Sequence, residues 1–321
     1  MAEIGKDIAE AKRHLEGGGL VAIPTETVYG LAANAFNEEA VTKIFKAKNR
    51  PSFDPLIVHT NSLKKIETFV EGIPEQAKKL VSTFWPGPLT ILLKKKSIVP
   101  DLVTSGLDSV AVRIPNHPMT LELLSQLDFP LAAPSANPFG YVSPTMAEHV
   151  NAQLGEKVGY VLDGGACEVG VESTIVSFLN EKPRVLRLGG LAVEKIEALI
   201  GEVEINQHSS SAPAAPGMLK SHYSPGKTIV LINDFSLNNE DNNAEIGAIV
   251  FNTPLENIPL ENQLILSRSG DLDEAARNLF SSLRLLDQNP NIKTILTEYV
   301  PNEGLGRAIN DRIKRATAKK D

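Results

Sequence analysis

Two hydroxyls, a carboxylate and a phenol are packed into Pro24-Thr25-Glu26-Thr27-Val28-Tyr29-Gly30. Side chains of these types can hold an amino-acid-sized ligand at Thr27. Downstream, Lys46-Ala47-Lys48-Asn49-Arg50-Pro51 brings three cations together. Basic residues in a last helical turn offset the negative end of the helix dipole, which accounts for Lys46 as well as a ligand would. Lys48 and Arg50 are different, because Pro51 forces the chain out of the helix and a point cation beside a planar fork suits a triphosphate. Ser135-Ala136-Asn137 adds a hydroxyl and an amide for phosphate or ribose, although a local Ser or Asx turn uses the same groups. Arg113, inside the apolar run Ser109-Val110-Ala111-Val112-Arg113-Ile114, requires an anion, whether an internal carboxylate or a bound one. Glu172-Ser173-Thr174 and Arg187 likewise flank apolar stretches.

The Pro24–Gly30 turn and Ser135-Ala136-Asn137 stand just past apolar runs, where an α/β sheet presents its ligand-binding loops, while the Lys46–Arg50 cations end a helix. Ile4, Ile8, Ala11 and Leu15 recur at helical spacing ahead of Gly17, Gly18 and Gly19, which suit a helix end. Leu20-Val21-Ala22-Ile23 reads as a strand stopped by Pro24, and Asn37 as the N-cap of a helix with Val41, Ile44 and Phe45 on one face. Further strands are predicted at Leu56-Ile57-Val58, 89–93, 109–112, Leu131-Ala132-Ala133 and 173–176, with helices near 74–84, 117–127 and 192–199. The strands after residue 85 follow too closely for a helix at every crossover, so a mixed sheet is expected.

From Gly201 to Lys227 the periodicity is lost, and NQHSSSAPAAPG has the composition of a solvated connector. Beyond it, 228–232, 246–250 and 294–296 read as buried strands. Residues 271–288 read as a helix with Leu272, Ala275, Ala276, Leu279, Leu283 and Leu286 inward. The expected organisation is a larger α/β domain over 1–201, a linker over 202–227 and a smaller α/β domain over 228–321.

The 321-residue length allows two cores. Lys and Arg number 32 against 39 Asp and Glu, a net charge of −7 with no basic tail, which argues against bulk nucleic-acid binding. With 42% hydrophobic and 22% charged residues the chain falls in the globular range and outside the disordered one. The single cysteine, Cys167, excludes an internal disulfide and Cys-rich zinc sites and fits a reducing compartment. No apolar stretch of ~18 residues occurs and the N-terminus lacks a secretory core, so a soluble, cytoplasmic protein without a membrane partner is expected.

Other motifs fail on spacing. In Gly217-Met218-Leu219-Lys220-Ser221 the lysine does not follow the glycine directly, and the upstream glycine of a P-loop is missing. In Gly304-Leu305-Gly306 the third glycine of a dinucleotide fingerprint is replaced by Ile309, which favours a turn into a terminal helix. No H-E-x-x-H or G-x-S-x-G is present, and no metal-ligand set is assigned.

Pro24 to Gly30, the Lys48-x-Arg50 pair with Pro55-Leu56-Ile57-Val58-His59, Ser135-Ala136-Asn137 and Glu172-Ser173-Thr174 together resemble the YrdC-like domain of the threonylcarbamoyl-AMP synthase family. Pro216-Gly217-Met218 through Ser221-His222-Tyr223-Ser224-Pro225, and Gly304-Leu305-Gly306-Arg307-Ala308-Ile309-Asn310, resemble its longer, two-domain form. The resemblance implies a YrdC-like open twisted mixed sheet with helices, followed by a smaller Rossmann-like α/β domain. It also implies ATP-dependent condensation of L-threonine with bicarbonate to threonylcarbamoyl-adenylate and pyrophosphate, assisted by Mg²⁺. The product would pass to a tRNA threonylcarbamoyl transferase acting on the adenosine next to the anticodon.

Matched residue by residue, the resemblance puts threonine contacts on Thr27, His59, Arg113, Ala133 and Ser173, with Arg113 clamping the substrate carboxylate. It puts ATP contacts on Lys48, Arg50, Asp54, Ser109, Ser135, Asn137, Ser143, Arg187 and Tyr223, with Lys48, Arg50 and Arg187 as the catalytic cations. Asp54 stands where many relatives carry Asn, and Ser109 where Thr is common. A carboxylate facing a triphosphate is repulsive unless a cation bridges it, so Asp54 either meets Mg²⁺ or orients Arg50. The connector around Tyr223 is expected to cover the site, since carbamates and adenylates hydrolyse readily. Two other readings compete. One is a non-catalytic tRNA or double-stranded RNA-binding module, disfavoured by the acidic balance and 5% aromatics. The other is a carbamoyl or acyl transferase acting on another amine.

Overall fold

Short apolar runs alternate with amphipathic helices along most of the chain, and such strands bury both faces only when helices cover the sheet. The structure, a computed structural model, describes residues 1–205, 223–235 and 243–318. Its first sheet comprises β1 (Glu3–Gly5), β2 (Val21–Ile23), β3 (Gly30–Asn34), β4 (Ile57–His59), β5 (Leu89–Lys94), β6 (Ser109–Arg113), β7 (Leu131–Ala132), β8 (Tyr160–Leu162), β9 (Thr174–Ser177), β10 (Arg184–Arg187) and β11 (Glu204–Ile205). Their order is β1-β8-β2-β3-β7-β4-β6-β5-β9-β10-β11. Parallel pairs such as β4 with β6 and β5 with β9 alternate with antiparallel ones such as β2 with β3 and β5 with β6. The sheet is therefore mixed, as the crowded strands after residue 85 require.

Between the strands run α1 (Ile8–Glu16), α2 (Glu38–Lys48), α3 (Leu63–Ile66), α4 (Glu75–Phe84), α5 (Asp101–Thr104), α6 (Pro118–Ser125), α7 (Ala147–Leu154) and α8 (Val193–Ile200). A core including Leu31, Val41, Ile44, Val58, Phe69, Leu80, Leu89 and Val112 joins α2 and α4 to the sheet. Leu15, Ile23, Leu123, Leu131 and Tyr160 form another cluster with α1 and α6. Asn37 caps α2 by accepting from Ala40 N at 3.1 Å, as its side-chain chemistry predicts.

The second sheet, β12 (Thr228–Leu231), β13 (Ile246–Val250), β14 (Gln263–Ile265) and β15 (Thr294–Thr297), is parallel throughout, in the order β12-β15-β13-β14. It packs with α9 (Leu272–Gln288) and α10 (Gly306–Thr317). The apolar cluster of Ile229, Ile249, Leu279, Phe280, Leu283 and Ile309 is completed by Val28, Val142 and Val171, which lie in loops of the first sheet. The second sheet's core therefore closes against the first. Gly170 permits the approach: its φ is +79°, and a Cβ there would lie 2.4 Å from the Arg277 Cα.

One expectation is corrected. Ile4 is not part of the first helix but lies in β1, paired parallel to β8. Asp7 starts α1 instead, its carboxylate accepting from Ala9 N at 2.8 Å and Glu10 N at 3.3 Å, and Gly5 leaves too little helix propensity before it. β3, β8, β10, β11, β14, α3, α5 and α7 are additional to the predicted elements. The terminal helix expected after Gly304 is α10. Most of the expected linker, including Pro216-Gly217-Met218 and Ser221-His222, lies outside the described residues. No helix among the described residues is long and apolar enough to cross a membrane.

Candidate active site

The site begins where β2 stops at Pro24. Thr25 ties the following turn: its Oγ1 accepts from Thr27 N (3.1 Å) and Val28 N (3.2 Å), donates to Val28 O (2.6 Å) and meets Thr27 Oγ1 at 2.8 Å. Tyr29 fastens the far side by donating its hydroxyl to Gly165 O at 2.7 Å. Gly30 then opens β3 against Ala133, whose Cβ would lie 3.2 Å from any Cβ at position 30.

α2 delivers the cations. Asn49, left-handed at φ 52°, ends the helix, and its N–H returns to Lys46 O. Lys48 Nζ is buried and donates to Ser135 O (2.6 Å) and Asn137 O (2.5 Å), so it clasps the Ser135–Asn137 loop. Arg50 donates to Asp54 O (3.0 Å) and Pro55 O (2.7 Å) and pairs with Asp54 Oδ2 at 2.9 Å. Asp54 thus faces Arg50. Sheet register places His59 of β4 beside Arg113 of β6. Arg113 Nη2 is 2.8 Å from Glu26 Oε2, and Arg113 Nε donates to Gly87 O at 3.2 Å. Arg187, ending β10, donates to Ser173 O (3.0 Å) and Ser173 Oγ (3.1 Å), and that hydroxyl also meets Thr90 Oγ1 at 2.7 Å.

These groups surround one cavity. Of the expected threonine contacts, His59, Arg113, Ala133 and Ser173 line it; of the expected ATP contacts, Arg50, Ser135, Arg187 and Tyr223 do. Thr27 is fully buried beside the lining residues Thr25 and Val28. Lys48, Asp54 and Ser143 lie behind the wall, each bonded to a lining residue. Asn137 is also behind it, its amide nitrogen donating to Pro138 O and Tyr141 O. Ser109 is not brought to the cavity: it starts β6, on the face of Arg113 but about 13 Å behind it at ~3.3 Å per residue.

Two contributors were not read from the sequence. Thr90 is a buried hydroxyl beside the apolar residues Leu89, Ile91, Leu92 and Leu93 of β5. Arg312 comes from α10, where it shares a buried face with Ile309, Ile313 and Ala316. A cation on the apolar face of an amphipathic helix is the signal that could have found it.

The electrostatics favour an incoming anion. Four buried cations, Lys48, Arg50, Arg113 and Arg187, stand at or just behind the cavity wall against three carboxylates, Glu26, Asp54 and Glu172, and Arg312 comes with a carboxylate of its own, Asp311. Burial, with Arg50 adding its charge, holds the Lys48 ammonium well below its usual range. Burial likewise pulls Arg187 down to about 10, and burial with Arg113 drives His59 down to about 3. His59 is therefore neutral at physiological pH. Crowded, desolvated cations are stabilised when negative charge enters among them.

The Sua5/YciO/YrdC family model, described as "Telomere recombination", matches residues 13–189, and the model described as "Threonylcarbamoyl-AMP synthase, C-terminal domain" matches residues 191–318. The threonylcarbamoyl-AMP synthase of Pyrococcus abyssi is 39% identical over 315 residues, covering 94% of this chain and 91% of its own. That of Bacillus subtilis is 38% identical over 320 residues, covering 96% and 92%. The crystal structure of P. abyssi Sua5 complexed with L-threonine matches with a TM-score of 0.90 at 37% identity, covering 99% of this chain and 97% of that one. Escherichia coli YciO, at 21% identity and a TM-score of 0.52 over 59% of this chain, is a likeness of fold. With both domain models matched in order and relatives aligned along nearly its whole length, the chain belongs to the threonylcarbamoyl-AMP synthase family.

Proposed function

We propose that this chain is an L-threonylcarbamoyladenylate synthase that joins L-threonine, bicarbonate and ATP in the cavity between Arg50, Arg113 and Arg187. The observation that carries the reading is the excess of buried cations around a pocket that also offers small hydroxyls and a neutral imidazole. Arg113, braced by Glu26 and Gly87 O, is a fork for the threonine carboxylate. His59, Ser173 and the turn at Thr25–Val28 surround the remainder of a small zwitterion, and Ala133 limits its size. Arg50 and Arg187 meet the triphosphate, with Lys48 holding the Ser135–Asn137 loop beneath it.

In this reading the neutral threonine amine attacks the carbon of bicarbonate, forming an N–C bond and releasing water, and the carbamate carries the negative charge. A carbamate oxygen then attacks the α-phosphorus, and the bond to the β-phosphate oxygen breaks to release pyrophosphate. No protein nucleophile is needed. Orientation of the two reactants contributes up to ~7–11 kcal/mol in favourable cases, and the guanidiniums match charge developing on the α-phosphate and leaving group.

No cluster of three His, Cys, Asp or Glu among the described residues would hold a metal, and the three carboxylates at the site each oppose a guanidinium. That donor set fits Mg²⁺ arriving on the triphosphate, where it would neutralise the leaving phosphates. We place the chain in the cytoplasm on its single, buried Cys167. We divide it functionally into a catalytic unit over 1–201, a linker over 202–227 and an accessory unit over 228–321. A labile mixed anhydride implies transfer to a tRNA threonylcarbamoyl transferase rather than free release.

The test is pyrophosphate release with ATP, Mg²⁺, bicarbonate and each amino acid in turn. Threonine should support turnover and valine should be rejected far more strongly than an apolar pocket manages. Turnover with a different amine would make the chain another carbamoyl or acyl transferase. Retention on tRNA with a steep salt slope and no pyrophosphate would make it an RNA-binding module.

A further inference from the structure

One part of the cavity wall is fixed by the second sheet's helix rather than by the first sheet. Arg312, in α10, is 0% exposed and reaches across to Glu172. Its Nε and Nη2 both donate to Glu172 Oε2, at 3.0 and 2.9 Å. Its Nη1 donates to Leu188 O (2.8 Å) and to Asp311 Oδ2 (2.9 Å), and Asp311 is in turn held by Arg315. The guanidinium carbon lies 5.0 Å from the centre of the Tyr223 ring, which also stacks on Phe280 at 5.6 Å. The second carboxylate oxygen of Glu172 accepts from Ser143 Oγ at 2.5 Å.

Glu172 and Tyr223 both line the cavity. Glu172 is also the residue before Ser173, whose carbonyl and hydroxyl receive Arg187. A buried carboxylate thus stands beside the guanidinium that the reading above gives to the nucleotide, and both Arg312 and Arg187 act on its charge. Unless another cation takes it, such a carboxylate turns to the nearest guanidinium, and a phosphate must then compete for Arg187. Tyr223 adds a second constraint. It holds a left-handed backbone conformation, φ 65°, which a bulky residue keeps only when its surroundings fix it.

We propose that Arg312 is a positioning residue for nucleotide binding: it captures Glu172, so that the carboxylate does not compete with phosphate for Arg187, and it sets the Tyr223 ring at the cavity wall. The accessory unit is then a working part of the site, since α10 supplies the charge that fixes two lining residues. The proposal rests on the reading of this cavity as the ATP and threonine site.

The test compares KM for ATP, in pyrophosphate release, with directly measured dissociation constants for ATP and threonine. Arg312→Gln is expected to raise the ATP KM and Kd at least about tenfold, with the threonine Kd within about twofold of wild type. Adding Glu172→Gln should lower the ATP constants of Arg312→Gln at least about fivefold, because the competing carboxylate is gone. Arg312→Lys keeps the charge but loses the fork and the ring contact, and should weaken ATP about three- to tenfold. Unchanged ATP constants in Arg312→Gln, equal losses for ATP and threonine, or a double variant no better than the single would overturn the proposal. If Arg312→Gln does not melt cooperatively, Arg312→Lys decides, and unchanged ATP constants there refute the role. A wild-type chain that binds ATP but releases no pyrophosphate with threonine refutes the reaction instead, while the ATP dissociation constants still judge Arg312.

Discussion

Replacing His59 by glutamine converts the burial of one imidazole into a measurable pH dependence of stability. His59 lines the cavity between Arg113 and Arg187, and burial and those two charges lower its pKa from the ordinary 6.5 to about 3. The unfolded chain therefore binds a proton that the folded chain refuses, across the window from about 6.5 down to 3. The stabilisation from a neutral His59 is complete above the unfolded value and is lost as pH falls toward the folded one. Integrating the proton difference between pH 7 and pH 5 gives a loss of about 2 kcal/mol from this residue. His149, pulled down to about 4 by burial and then by Arg284, acts in the same direction, so the comparison has to isolate His59. Urea unfolding of wild type and His59→Gln at both pH values does so. The stability advantage of wild type should be about 2 kcal/mol smaller at pH 5 than at pH 7. An advantage that does not change with pH would refute the placement of a neutral His59 among buried guanidiniums. Saturating threonine, by adding a carboxylate near the ring, should shrink the effect.

Other perturbations read other parts of the site. Arg113→Lys keeps a cation but removes the fork, so the threonine KM should rise by about tenfold or more while ATP binding changes less; equal effects on both ligands would contradict a carboxylate clamp. Arg50→Ala strands Asp54 as a buried carboxylate and should lower stability by about 3–5 kcal/mol, and adding Asp54→Ala should restore part of it in a melting experiment. Failure of the second change to restore any stability would mean that the pair is not coupled. Tyr223→Ala should raise ATP consumption without adenylate formation or weaken ATP binding, and unchanged kinetics would remove its role as a cover.

Much of the site was legible because several of its groups lie at or near the ends of recognisable strands, and Lys48 and Arg50 at a recognisable helix end. Pro24 stops an apolar strand, and a turn dense in hydroxyls follows; Arg113 interrupts an apolar strand and must find an anion. What the sequence withheld was which anion. Glu26 lies far along the chain from Arg113, and nothing local distinguishes it from any other glutamate. The same limit applies to Lys48: its spacing to Arg50 suggests phosphate contact, but nothing in the spacing shows that its ammonium also donates to two carbonyls of the Ser135–Asn137 loop. β3 escaped because Gly30-Leu31-Ala32-Ala33 continues a turn motif and carries no β-branched residue. β10 escaped because Arg184 and Arg187 bracket only two apolar residues. Arg312 needed the tertiary fold, since only the docking of α10 reveals that its inward charge meets Glu172.

The most direct measurement of the central claim is the mass of the nucleotide product formed from ATP, threonine and ¹³C-labelled bicarbonate. A cavity that places the threonine carbamate against the α-phosphate yields an adenylate carrying one labelled carbon, with one pyrophosphate released for each. An unlabelled threonyl-adenylate, or no adenylate at all, would contradict it.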